Sequence, residues 1–137
     1  MSEERYLLFS AAGERFAFEL QEISEVMEPQ ESFAVPRAPQ HFVGLINFHG
    51  APTALVDLGL FLGRQAAGDP GKVLVLDSRV AALALQVEGV QAIVSSEAIL
   101  ERSPGDAPLI EAQLETEQGR FRLLRLEALL AALEQGL

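Results

Sequence analysis

Val35-Pro36-Arg37-Ala38-Pro39, then Val43-Gly44-Leu45-Ile46-Asn47-Phe48-His49-Gly50, then Ala54-Leu55-Val56-Asp57-Leu58 form the stretch whose reading decides the fold. Proline withholds a backbone donor and favours extended chain, so residues 29–41, which also hold Pro29, read as a connector rather than a ladder strand. Residues 44–48 and 54–56 read as two strands around a turn at His49-Gly50-Ala51-Pro52, where glycine and proline together break the ladder. Gly44 and Gly50 flank the strand carrying Asn47, and glycine at such points means positive φ or close backbone packing. Asp57 precedes Leu58-Gly59-Leu60-Phe61-Leu62-Gly63, a short helical turn, and suits a carboxylate that accepts backbone N–H bonds as a cap.

Working outward, Tyr6-Leu7-Leu8-Phe9 and Phe16-Ala17-Phe18 are apolar runs separated by the turn Ala12-Gly13-Glu14, which predicts an opening hairpin. Residues 19–24 lose the period of two and predict one helical turn before a strand over 25–28. Downstream, residues 65–72 read as a surface loop. Residues 72–76 and 80–87 read as a hairpin turning at Asp77-Ser78-Arg79, and residues 90–94 as a further strand. Ile110, Ala112, Leu114 and Thr116 alternate with Glu111, Gln113, Glu115 and Glu117. A two-residue loop at Gln118-Gly119 would set Glu117 opposite Arg120, Glu115 opposite Arg122, Thr116 opposite Phe121 and Leu114 opposite Leu123. Leu126, Leu129, Leu130 and Leu133 then fall on one helical stripe and predict a docking helix. Nine or ten short strands at hairpin spacing, without βαβ alternation, point to small β-barrels.

At 137 residues and 49% apolar content, the chain suffices for one domain with a sizeable core. It has no cysteine, which excludes disulfides, iron–sulfur clusters and thiolate zinc sites and fits a reducing compartment. The polar N-terminus Met1-Ser2-Glu3-Glu4-Arg5 lacks the pattern of a signal peptide, and no apolar run approaches the roughly 20 residues that span a bilayer. The expectation is a cytoplasmic protein without direct membrane insertion. A formal charge of −10 repels phosphate backbones, so nucleic acid is not an expected partner.

Few residues invite a chemical reading. Gly68-Asp69-Pro70-Gly71-Lys72 lacks P-loop spacing. His41 and His49, the only histidines, do not stand at the helical spacing of a metal pair, and no metal or cofactor is expected. The serines occupy no nucleophile elbow. Asp57 with His49 leaves one enzymatic or ligand-binding alternative, against the capping role for Asp57. Glu19, Glu22, Glu25, Glu28 and Glu31 recur every third residue, but the spacing drifts around a helix and the carboxylates should not converge. Four of them read as a solvated acidic rim. Phe48, a lone strand aromatic, reads as core.

The opening stretch resembles the central signature of the CheW-like adaptor domains of bacterial chemotaxis, in which Pro-x-x-Pro leads to Gly-φ-φ-Asn-φ-Arg-Gly (φ apolar) and then Val-Asp-Leu. His49 stands where that family usually has arginine. The likeness runs from about residue 5 to residue 133 and includes Tyr6-Leu7-Leu8-Phe9, Ile23-Ser24-Glu25-Val26 and Val87-Glu88-Gly89-Val90. It implies a mainly β domain over residues 1–137: two interleaved five-stranded SH3-like barrels with short helices and a C-terminal helix. It further implies a non-enzymatic scaffold that couples the chemoreceptor cytoplasmic tip to the regulatory domain of a CheA-type histidine kinase. Ile23, Glu25, Asn47 and His49 would face the receptor, while Gly44, Gly50 and Asp57 would be structural. The histidine leaves a second possibility within the family, a divergent module serving pilus motility or second-messenger signalling.

Overall fold

A computed structural model describes residues 4–63 and 71–135. The chain opens with β1 (Arg5–Ala11) and β2 (Glu14–Glu19), an antiparallel hairpin. Its two loop residues, Ala12 and Gly13, both have positive φ (52° and 76°), the turn geometry that matches the right-handed twist of paired strands. A single 3₁₀ turn, Leu20–Glu22, passes the chain to β3 (Ile23–Met27). Then come β4 (Phe42–Phe48), β5 (Ala51–Asp57), α1 (Leu58–Phe61), β6 (Lys72–Leu76) and β7 (Leu83–Val87). The last third holds β8 (Gly89–Ser95), a second 3₁₀ turn (Ser96–Ala98), β9 (Glu101–Pro104), β10 (Ile110–Thr116), β11 (Gly119–Leu124) and α2 (Leu126–Gln135).

These strands make two sheets, β8-β1-β2-β11-β10-β9 and β3-β6-β7-β5-β4. The first is built from both ends of the chain, with the second inserted between them, which is the interleaving expected; it has six strands rather than five. Burial explains the two-barrel arrangement. Alternate residues of β1 serve different cores: Tyr6 and Leu8 join Ala112, Leu114, Phe121 and Leu123 inside the first sheet. Leu7 and Phe9 point the other way, into a larger cluster with Phe18, Leu74, Leu85 and the α2 residues Leu126, Leu129 and Leu133. Ile46, Leu55, Val73, Val75 and Ala84 fill the second sheet. Each sheet therefore wraps its own core, and a third core joins them, with Phe9 and Phe18 stacked at 5.2 Å. Full burial of each such Leu or Phe stabilises by about 1.5–3 kcal/mol.

Several expectations need correction. The first turn in the signature stretch is only His49-Gly50, because Ala51 and Pro52 already belong to β5, opposite Phe48 and Asn47. Proline is tolerated there because antiparallel pairs alternate: the pair flanking the two-residue loop, Phe48 and Ala51, is the hydrogen-bonded one, the next, Asn47 and Pro52, is not, and the parallel ladder to β7 begins only at Ala54. In the closing hairpin the loop is Glu117-Gln118, not Gln118-Gly119. The Thr116 hydroxyl accepts from Gln118 N–H (3.0 Å) and donates to the Gly119 carbonyl (2.9 Å), so Thr116 faces Gly119. Leu114 thus faces Phe121, and Glu115 faces Arg120 at 3.5 Å. Arg122 lies opposite Gln113 and bonds Asp106 at 2.9 Å. The shift moves partners by two residues, so each side chain keeps its expected face.

Residues 80–82 are not strand. Val80 and Ala81 N–H groups close a turn on the Asp77 carbonyl, while Arg79 holds the Asp77 carboxyl at about 2 through hydrogen bonds. β9, which has no apolar alternation, was not expected at all. Of the loop expected over residues 65–72, all but the last two lie outside the described residues.

Candidate functional site: the turn between strands four and five and the rim facing it

His49 and Gly50 carry positive φ (50° and 83°), and the Asn47 carboxamide oxygen accepts from Gly50 N–H at 2.8 Å. Asn47 is thus the residue that stabilises the left-handed turn, although it is also exposed. Histidine is among the side chains that tolerate this conformation better than most. At the other end of β4, Gly44 permits a close approach: a Cβ there would lie 2.5 Å from the Phe33 carbonyl oxygen. That approach allows the reciprocal bonds Phe33 N–H to Leu45 O (2.8 Å) and Leu45 N–H to Phe33 O (2.9 Å), which tie the connector to the β4 edge.

The fold brings Glu25 and His49, 24 residues apart in sequence, to the same rim. A register irregularity in β3 between Ile23 and Glu25 turns the carboxylate outward, and its Oε2 lies 3.7 Å from His49 Nε2. Both side chains are open to solvent, 44% and 75% exposed. In that setting an ion pair contributes at most about 1 kcal/mol, so both groups remain accessible to a partner. The Phe48 ring meets the His49 imidazole edge-on at 4.3 Å and packs against the core of the second barrel. Ile23 does not fit the receptor-facing role expected of it: at 9% exposure it belongs to the core between the barrels. Val26, beside Glu25, is 38% exposed instead, and no sequence signal distinguished it from a core valine.

Asp57 is 2% exposed and caps α1: its Oδ1 accepts from Leu60 N–H at 3.0 Å and its Oδ2 from the Gln86 amide at 3.3 Å. It sits at the far end of β5 from the turn, six residues from Ala51 and so about 20 Å away along the strand. The His49–Asp57 pairing required by the enzymatic alternative is not formed. Among the described residues, no group of three or more His, Asp or Glu side chains is placed to hold a metal ion. No described helix is long and apolar enough to cross a membrane.

The acidic row also divides. Glu28 is exposed and pairs with Lys72. Glu22, expected on the solvated rim, is half-buried, with Oε1 shut away from solvent and without a hydrogen-bond partner. Burial, and then the Glu19 charge, push its carboxyl up to about 7.

Comparison with known proteins agrees with this fold. Residues 5–134 match the family described as CheW-like domain. A probable chemotaxis protein CheW of Rhizobium etli is 24% identical over 140 residues, covering 96% of this chain and 90% of that protein. The crystal structure of the scaffolding protein TtCheW from Thermoanaerobacter tengcongensis superposes with a TM-score of 0.77 at 17% identity, covering 90% of each chain, a likeness of fold. With a family match over nearly its whole length, this chain belongs to the CheW-like domain family.

Proposed function

We propose that the chain is a single-domain, non-enzymatic adaptor of a chemotaxis pathway, which joins a chemoreceptor cytoplasmic tip to the regulatory domain of a CheA-type histidine kinase in the cytoplasm. The observation that carries this reading is the meeting of Glu25 and His49 on an open rim, each built into place by backbone devices: a β3 irregularity and an Asn47-braced turn. Those are the features of a recognition surface. Exposed charged groups at such a rim set register and partner choice more than raw affinity. Membership of the family, a relative named as a chemotaxis protein and a fold neighbour described as a scaffold support the same reading.

His49 in place of the family's arginine favours a second reading, a module for another signalling pathway. Imidazole is shorter than guanidinium and lacks its planar fork of donors. Affinity capture from the native cytoplasm, with the captured proteins identified, separates the two. Recovery of a receptor and a CheA-type kinase supports the adaptor reading. Recovery of a different kinase or motility system instead supports the second.

A further inference from the structure

The crossover between the barrels is a strap with two attachments. Its 3₁₀ turn, Leu20–Glu22, leaves the first barrel at the end of β2 and enters the second at β3. The Glu22 carbonyl accepts from Asp77 N–H at 2.9 Å, just past the end of β6 in the second barrel. Its side chain lines a cleft of about 220 Å³ at the corner where β11 of the first barrel meets α2.

What the side chain meets there suits an uncharged carboxyl and not an ionised one. Glu19 from the end of β2, Glu111 from β10 and Glu127 from the first turn of α2 line the same cleft and carry like charge. Arg125, the cation among the cleft residues, is committed to Glu111. Asp77 and Arg79, on the side of the carbonyl, are paired with each other. Among the described residues the Glu22 Oε1 has neither solvent nor a hydrogen-bond partner. Ionisation therefore puts charge on an oxygen that nothing solvates, beside the Glu19 charge.

We propose that Glu22 is a proton-responsive latch between the two barrels, seated in the cleft while protonated and released when ionised, with the Asp77 bond opening as the turn moves. Burial, and then the Glu19 charge, hold the seated carboxyl at about 7, against an ordinary 4.5 once released. The released fraction therefore rises with pH between those values and levels off above them. Discounted for half-burial, the rise is about tenfold from pH 5 to pH 8. Because β3 starts at Ile23, release frees the base of the strand that carries Glu25 to the rim. This inference concerns the chain alone, and its failure would leave the adaptor reading intact.

Amide hydrogen exchange of the purified protein, resolved by NMR and corrected for intrinsic rates, is the test. Asp77 N–H, whose partner is the Glu22 carbonyl, should lose protection about tenfold from pH 5 to pH 8. That loss should respond little to submolar urea, the mark of a local rather than a global opening. Glu22→Gln should keep the pH 5 protection throughout. Glu19→Gln should move the midpoint to lower pH, because it removes the charge beside the latch. The Asp77 carboxyl, held at about 2 by Arg79, does not titrate in this range. Asp77 protection independent of pH, an equal fall in Glu22→Gln, or exchange that follows urea as steeply as global unfolding would overturn the proposal.

Discussion

Replacing Glu22 with glutamine should stabilise the protein at alkaline pH and leave it unchanged in acid. Glu22 shares a polar cleft with Glu19, Glu111, Arg125 and Glu127, and Arg125 is already paired with Glu111. Burial and the Glu19 charge raise its carboxyl from the ordinary 4.5 to about 7. A carboxyl raised in the folded state binds more protons folded than unfolded between those two values, so stability falls as pH rises through that window and is level above it. The full shift corresponds to about 3 kcal/mol at 1.36 kcal/mol per pH unit. The group is only half-buried and solvent screens it, so about 1–2 kcal/mol is the expected penalty. For a chain of this size that is a rise of roughly 3–8 °C in Tm at pH 8 for Glu22→Gln, with no difference near pH 4. Thermal melts of both proteins across the range measure it, and the difference between them cancels the many other carboxylates. Parallel Tm profiles for the two proteins would refute the burial argument.

Asp57→Asn should cost about 1–2 kcal/mol, since a charge-assisted cap and the Gln86 bond are both weakened, while leaving partner affinity unchanged; chemical denaturation and partner titration check the two halves. Gly44→Ala should destabilise by about 1–3 kcal/mol, because its Cβ would collide with the Phe33 carbonyl and break the reciprocal bridge. Gly50→Ala, where no atom lies within 4 Å and only positive φ is at stake, should cost about 1 kcal/mol; urea unfolding ranks the pair. His49→Arg should tighten binding to a receptor tip fragment at pH 7.5 by about 1–2 kcal/mol, read by calorimetric titration.

The parts of the fold legible in the sequence were those where one local requirement dominates. Asn47, His49 and Gly50 announce a turn because positive φ narrows the choice of residue, and β1 and β2 announce a hairpin through their aromatics. The closing hairpin shows the limit. Glycine at 119 drew the loop one position too late, because the sequence does not reveal that the Thr116 hydroxyl bonds both Gln118 and Gly119. β9 was invisible because Glu101-Arg102-Ser103-Pro104 has no apolar side chain to alternate and pairs along only one edge with β10. At the site, Glu25 and His49 could be paired only by resemblance, since their contact depends on a β3 irregularity that leaves no mark in the sequence. Ile23 and Glu22 were misplaced for the same reason: burial between β3, α2 and the first barrel is a tertiary fact, and a glutamate every third residue looks alike whether exposed or enclosed.

The adaptor reading is tested most directly by co-sedimentation of receptor tip assemblies with the kinase regulatory domain, with and without this protein. The account predicts that the kinase domain pellets with the receptor only when the protein is present, and that Glu25→Lys, which reverses the charge on the rim, releases it while the protein stays folded. Kinase that pellets equally without the protein, or a complex indifferent to Glu25→Lys, would contradict it.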